Sequence, residues 1–343
     1  MNEKQLQTSG RRVFLLRLGR KFVQYAFVII VALTINFSLP RLAPGDPLSF
    51  VIGSETANEL TPEKRQRIEK ELGLDGTVLE QYGRFMGGAV QFDLGISTKF
   101  GKPVTSVLGE RMPWTLIVVL PALVLSPLIG IILGAYAAWN RGKKRDVGLL
   151  AAILTLESMP AFWVGMILIA VFGVTLGWLP TFGAAPMFKT DNWSYVMDVI
   201  RHLILPVATI TIASAGTNFL LTRSSMLDTL GQDYMMMAEA KGVRKSGIIY
   251  KHALRNALLP VYTHVTMSLG ILVSGAVVVE TVFSYPGIGS LLFESVIARD
   301  YALMQGVFLM ITIGVILANL LADLTYPLVD PRARIRKPVE GSV

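Results

Sequence analysis

His202, His252 and His264 are the only histidines, and there is no cysteine. Without thiolates, and without an H-E-x-x-H pairing, the chain shows neither a zinc-binding pattern nor a cysteine nucleophile. It has no G-x-x-x-x-G-K-S/T phosphate loop and no G-x-S-x-G elbow, so neither of those motifs offers it a way to cradle ATP or to attack an acyl group. The residues with unusual chemistry are instead carboxylates inside apolar runs: Glu157, Glu280 and Asp323. A carboxylate in hydrocarbon costs about 3 kcal/mol on insertion scales, so each needs a partner or a task. A second concentration of charge lies between residues 234 and 260, where Lys241, Arg244, Lys245, Lys251 and Arg255 face a single acid, Glu239.

The elements that must position these groups are apolar. With 52% hydrophobic and 16% charged residues, the chain falls in the membrane class. Apolar runs lie at about 22–39, 114–139, 147–176, 203–222, 258–282 and 304–328. Each is long enough for a hydrocarbon core of ~30 Å, which takes about 20 helical residues. That predicts six spans and an all-α integral membrane protein. The first run follows basic residues, as in a signal peptide. It is long and lacks an A-x-A site, so it reads as a retained span. Pro121, Pro127, Pro160, Pro206 and Pro260 fall in or at the spans, where such kinks are tolerated. Gly130 and Gly134 form a small-xxx-small pair that admits a close helix neighbour.

Between the first two spans, residues 48–112 are the longest polar stretch. Thr61-Pro62-Glu63 reads as a helix start, and a second short helix is predicted from Val78 to Met86. This predicts a small folded insert. Residues 1–21 suggest an interfacial helix, and Arg41 to Pro47 (RLAPGDP) reads as a turn. The segments 1–21, 140–146, 223–257 and 329–343 together hold 20 of the 32 basic residues and 7 of the 24 acidic ones. That asymmetry puts those segments and both termini in the cytoplasm, and the insert outside. It also accounts for the net charge of +8 without any nucleic acid.

The basic segment reads as a helix from Tyr234 to Lys241, broken at Gly242, with a second helix from about Lys245 to Leu258. A rigid two-helix loop can transmit force; the plainer reading is a loop that only connects spans. Glu280 also has two readings, a gate or binding-protein seat and a structural cap or pair. It precedes a Pro286-Gly287-Ile288-Gly289 turn and a short amphipathic helix with Leu291, Leu292, Val296 and Ile297. Glu157 either faces a pathway, where it would help admit a cationic part of a substrate, or sits in a subunit interface. Asp323 reads as a structural partner of a loop arginine.

The spacing of the basic segment resembles the EAA loop of ABC importer permeases. Met236-Met237-Ala238 stands where that family commonly has Glu-Ala-Ala, Gly242 is its glycine, and Leu254 fits the later apolar position. HALRNALLP at 252–260 is similar to the dipeptide/oligopeptide/nickel branch. So are RLAPGDP at 41–47, DLG at 93–95, PAFWVG at 160–165, LGWLP at 176–180, residues 275–306 and NLLADLTYPLVDPR at 319–332. Met236 and Glu157 depart from the family pattern.

The resemblance implies a type I ABC importer permease fold with six transmembrane helices and a small extracytoplasmic insert between the first two. It implies an N-terminal region over 1–112, a permease core over 113–332 and a tail over 333–343. The coupling loop is then 231–257, with Ala238, Glu239, Ala240, Lys241, Gly242, Val243 and Arg244 meeting an ATPase. Glu157, Glu280, Phe283 and Tyr285 are the candidates for the pathway or outer gate. The implied partners are a second, related permease, two ABC ATPase subunits that bind the ATP and Mg, an extracytoplasmic solute-binding protein and the lipid bilayer. No cofactor or metal is expected on this chain itself. The implied location is a bacterial or archaeal plasma membrane. Peptides or peptide-like solutes are the expected cargo; nickel or other metal complexes, opines and oligosaccharides are the alternatives within the branch. A stand-alone secondary carrier is the alternative outside it, and no internal repeat supports that reading.

Overall fold

A computed structural model describes residues 19–21, 23–38, 60–71, 75–185, 192–244 and 247–329. The described elements are helices, with one isolated bridge between Ile96 and Pro103. The helix expected in 1–21 lies largely outside these residues, and the 41–47 turn and the 333–343 tail lie wholly outside them. Among the described residues, four helices are long and apolar enough to cross a membrane: Gly19–Ser38 (α1), Val104–Trp139 (α4), most of Asn192–Leu230 (α7) and most of Tyr301–Val329 (α11). The chain is an integral membrane protein. Two compact units divide it, Met1–Glu110 with Glu294–Ile316, and Arg111–Phe293 with Leu317–Val343.

The first unit packs Leu33 of α1 and Leu309 of α11 around Ala89, with Phe85 and Met86 alongside. Phe85, Met86 and Ala89 belong to α3 (Val78–Gln91), the helix expected to end at Met86. A capping box starts it: Glu80 N–H donates to the Thr77 hydroxyl, and the Glu80 side chain accepts from Thr77 N–H at 2.7 Å. Those bonds hold the exposed Glu80 carboxyl below its ordinary pKa, the Thr77 backbone bond contributing most. The preceding α2 (Pro62–Glu71) begins at the expected proline. Within α1, the Thr34 and Ser38 hydroxyls donate to the Ile30 and Thr34 carbonyls, as polar groups in an apolar run must. Asn36 donates to the Gln305 carbonyl of α11 at 2.8 Å.

In the second unit the expected third span is not one straight helix. It is α5 (Lys144–Glu157) and α6 (Ala161–Leu168, continued in wider π turns over Ile169–Thr175), bent by 102°. Pro160 is the cause. It lacks an N–H and disfavours helix in the residue before it. With φ −58° and ψ 143°, it caps α6 instead, and its carbonyl accepts from Trp163 and Val164.

The basic segment also departs from expectation. The second helix, expected over about 245–258, does not end at Leu258. Lys245 and Ser246 lie outside the described residues. From Gly247 the chain is helical, passes through π turns at Ile248–Ala253 and runs on unbroken as α9 (Leu254–Val282), which carries Pro260 inside it. The proline is carried because a membrane helix can re-satisfy the freed carbonyl locally. The packing of α9 on α7 forms the centre of this unit, with α5 and α6 also against α7. Gly130 and Gly134 allow α4 its approach to α7. A Cβ on Gly130 would lie 2.5 Å from Asn218 Cβ, and one on Gly134 would lie 2.7 Å from the Phe219 carbonyl oxygen.

Candidate functional site

The segment after α7 forms a short helix, α8 (Asp233–Ala240), holding Ala238, Glu239 and Ala240. It ends in a Schellman turn. Gly242 N–H donates to the Glu239 carbonyl at 2.9 Å, and Val243 N–H to that of Ala238 at 3.2 Å. Gly242 has φ +75°, the left-handed geometry that glycine adopts without a Cβ penalty. The helix is anchored on one side. Met235 is buried with Ala135, Ala138, Met226, Ile248, Ala253 and Ala257, and Val243 packs against the same cluster. Tyr234 Oη accepts from Asn256 at 2.9 Å. The other side is presented outward. Met236 and Met237 are 62% and 60% exposed, and Glu239, Ala240, Lys241, Gly242 and Arg244 are exposed with them. The result is a rigid knob with two flexible methionine side chains, an adaptable contact surface.

Near the opposite end of α9, Glu280 is fully buried and makes three hydrogen bonds. One oxygen accepts from Thr115 Oγ at 2.7 Å; the other accepts from the N–H groups of Gly289 and Ser290 at 2.7 and 3.1 Å. Those amides belong to the first turn of α10 (Ile288–Ile297), so the carboxylate satisfies orphan donors at a positive helix end. Thr115 Oγ in turn accepts from Ile288 N–H at 2.8 Å. Phe283 and Tyr285 are buried in the core with Val118, Val119 and Val279, and Trp114 meets Tyr285 edge-on at 6.0 Å. The structure thus brings Glu280, Phe283 and Tyr285 together as a packed cluster. It gives Glu280 the bonding of a cap, one of the two readings the sequence left open. The helix after it begins at Ile288 as a buried edge, while Val296 and Ile297 are exposed.

Glu157 lies elsewhere, at the last residue of α5, beside the bend. Thr217 donates to its Oε1 at 2.5 Å. A Cβ at Gly216 would come within 2.7 Å of Oε2, so that glycine makes room for the carboxylate. Thr217 also lines a cavity of about 240 Å³ between α4, α7 and α9. Its apolar lining includes Leu123, Pro127, Ala213 and Val265; its polar lining is Ser126, Ser214, Thr217, Asn218, His264 and Ser268. Asn218 donates through Nδ2 to the Ser214 carbonyl and to Ser126 Oγ, and its Oδ1 faces His264 Nδ1 at 3.2 Å. That polarity makes Nδ1 the donor and leaves His264 Nε2 as the acceptor, 3.4 Å from Ser268 Oγ. None of these lining residues stands out in the sequence. Each is a single polar residue in an apolar run, and only the crossing of three helices gathers them.

At the other end of α5, Asp146 is buried and accepts from Arg223 of α7 through two bonds, with Gly142 N–H as a third donor. In sequence both charges read as ordinary loop residues.

Residues 130–335 match the model of the family described as binding-protein-dependent transport system inner membrane component. The oligopeptide transport system permease protein AppB of Bacillus subtilis (strain 168) is 37% identical over 306 residues, covering 89% of this chain and 95% of that protein. The di/tripeptide transport system permease protein DppB of Pseudomonas aeruginosa (strain UCBPP-PA14) is 36% identical over 315 residues, covering 88% and 93% respectively. Among solved structures, an inward-facing conformation of the MetNI methionine ABC transporter superposes with a TM-score of 0.54 at 18% identity, over 65% of this chain and 96% of that one. That likeness is one of fold.

Proposed function

The chain belongs to the binding-protein-dependent transport system inner membrane component family, and from that premise we propose that it is the membrane-spanning subunit of an ATP-driven importer of peptides or peptide-like solutes. The observation that carries the reading is similarity along nearly the whole chain to oligopeptide and di/tripeptide permeases. Six spans fit it: α1, α4, the bent pair α5–α6, α7, α9 and α11. On this reading α2 and α3 belong to an extracytoplasmic insert, and both termini are cytoplasmic in a bacterial or archaeal plasma membrane, following the charge asymmetry.

The chain acts as a translocation subunit and leaves hydrolysis to others. Two ABC ATPases bind ATP and Mg. A related second permease completes the pathway as a heterodimer, and an extracytoplasmic binding protein delivers the solute. The α8 knob, Ala238 to Arg244, docks into an ATPase. Its Schellman turn and the Met235 anchor make it stiff enough to pass motion into α7 and α9. Nucleotide binding below and the loaded binding protein above each favour one state of the pathway, so their differential affinities drive alternating access.

The test is reconstitution with the ATPases, the second permease and the binding protein. The expected result is ATP-dependent uptake of a labelled peptide, and loss of ATPase co-purification when residues 234–247 are deleted. Normal co-purification of the ATPases with the deleted protein would sink the docking role.

A further inference from the structure

We propose that the cavity between α4, α7 and α9, with Glu157 beside it, receives the protonated amino group of the passing solute, Glu157 carrying the countercharge. The proposal rests on the peptide-permease reading and names the chemistry of one site within it.

The hydrogen bonds in the cavity wall decide which kind of ligand group fits. Both Asn218 amide hydrogens are engaged, by the Ser214 carbonyl and Ser126 Oγ. His264 Nδ1–H points at Asn218 Oδ1, the Ser268 hydroxyl donates to the His264 carbonyl at 2.9 Å, and the Thr217 hydroxyl donates to Glu157. These donors are therefore occupied inside the wall. The Ser126 and Ser214 hydroxyls can each donate or accept; the other open positions are acceptors: His264 Nε2, the hydroxyl lone pairs of Thr217 and Ser268, and the remaining lone pairs of the Glu157 carboxylate. No lysine or arginine is among the lining residues. With acceptors in excess and the Glu157 carboxylate beside them, a primary ammonium, with three donors and no acceptor, complements this surface better than a second carboxylate does.

Three further observations agree. Gly216 leaves room for the Glu157 carboxylate where any side chain would collide with it. Thr217 is exposed and Glu157 is half-buried, and Thr217 stands on a helix long and apolar enough to cross a membrane. A polar surface there belongs against water or protein and not against lipid. The cavity, at about 240 Å³, is smaller than the roughly 300–1,000 Å³ of pockets that enclose a drug-sized ligand. It suits one end of a longer solute.

Glu157→Gln is the informative variant, because it keeps an acceptor oxygen for the Thr217 hydroxyl and removes only the charge. The full transporter, with its ATPases and binding protein, is reconstituted in proteoliposomes and supplied with trialanine. The readout is trialanine delivered per ATP hydrolysed. The expected result is a fall of about tenfold for Glu157→Gln, the scale of one charge-assisted hydrogen bond, with substantial recovery in Glu157→Asp. Unchanged delivery per ATP in Glu157→Gln overturns the proposal, even where total uptake falls, because that outcome marks an assembly defect. An equal fall in Glu157→Asp and Glu157→Gln also overturns it, since the charge is then not what matters. No ATP-dependent trialanine uptake by the wild-type transporter overturns the peptide reading and this proposal with it.

Discussion

Asp146 and Arg223, 77 positions apart, meet through two parallel bonds of 2.8 Å each, Nε to Oδ1 and Nη2 to Oδ2. The fork geometry fixes the start of α5 against α7, near the point where α7 leads into the α8 knob. Asp146 is 2% exposed, so removing its carboxylate strands a partly buried guanidinium and frees the Gly142 N–H. Asp146→Ala is expected to destabilise the protein by about 3 kcal/mol, the low end for breaking a buried pair. Thermal unfolding in detergent, followed by tryptophan fluorescence, measures it. An unchanged midpoint would mean that the pair contributes nothing. Arg223→Lys keeps the charge but not the fork, and is expected to fall between wild type and Asp146→Ala.

Glu280 supports the start of α10 through donors that nothing else in the described structure satisfies in its place. Glu280→Ala leaves Thr115 Oγ without its acceptor and the amides of Gly289 and Ser290 without theirs. A buried donor left without a partner costs about 1–3 kcal/mol. The expected loss for the three together is therefore at least about 3 kcal/mol. Glu280→Gln keeps one acceptor oxygen but sets an NH₂ group against other donors, and is expected to cost about half as much. Folded yield by fluorescence-detected size exclusion orders the two. Equal yields for both variants and wild type would remove the capping role and reopen the gate reading.

Gly134 sits under the backbone of α7. An added Cβ would lie 2.7 Å from the Phe219 carbonyl oxygen and 2.8 Å from Thr222 Cβ, and neither position is the end of a flexible side chain. Gly134→Val is expected to push the helices apart and cost about 1–3 kcal/mol, the usual range for overpacking. Gly148→Ala is the control. It lies within α5, where a Cβ meets nothing within 4 Å. There the gain in helix propensity is expected to stabilise by about 0.5–1 kcal/mol. Comparing the two unfolding midpoints tests whether the close crossing or glycine loss in general is responsible.

The parts of the fold that were legible in the sequence are those written in local patterns. The starts of α2 and α3, the close-approach role of Gly130 and Gly134, the turn at Gly287 and the break at Gly242 each depend on a few neighbouring residues. The bend beside Glu157 was half legible. Pro160 was visible, but an unbroken hydropathy from 147 to 176 hid the fact that the helix turns there by 102°. The π turns at Ile248–Ala253 have no signal, and nothing local shows that the helix expected to end near Leu258 runs on into the following span. The polar cavity was not legible. Ser126, Asn218 and His264 lie far apart in sequence, on three helices, and each is an ordinary interruption of an apolar run. Their meeting depends on helix rotation and crossing, which periodicity does not encode when a span is apolar all round. The same holds for Asp146 with Arg223 and for Thr115 with Glu280. The notable carboxylates were found by type; their partners were found only by packing.

The turn that ends the α8 knob depends on Gly242. Gly242 holds φ +75° and donates its N–H to the Glu239 carbonyl at 2.9 Å. Proline is confined to φ near −65° and has no N–H, so Gly242→Pro breaks both features of the turn at once. Gly242→Ala keeps the N–H and meets no neighbour within 4 Å, and it incurs only the left-handed strain of about 1–2 kcal/mol. Met236 is exposed and stands at a position where the family pattern would place an acid, so the shape of the turn is expected to matter more than that side chain. Gly242→Pro is therefore expected to abolish the link between ATP hydrolysis and uptake, Gly242→Ala to weaken it, and Met236→Leu to leave it near the wild-type level. The measurement is peptide uptake per ATP in proteoliposomes for all three. If Gly242→Pro transports at the wild-type rate, the turn is not what the ATPase grips. If Met236→Leu loses transport while Gly242→Ala does not, the contact runs through the methionine surface and not through the backbone turn.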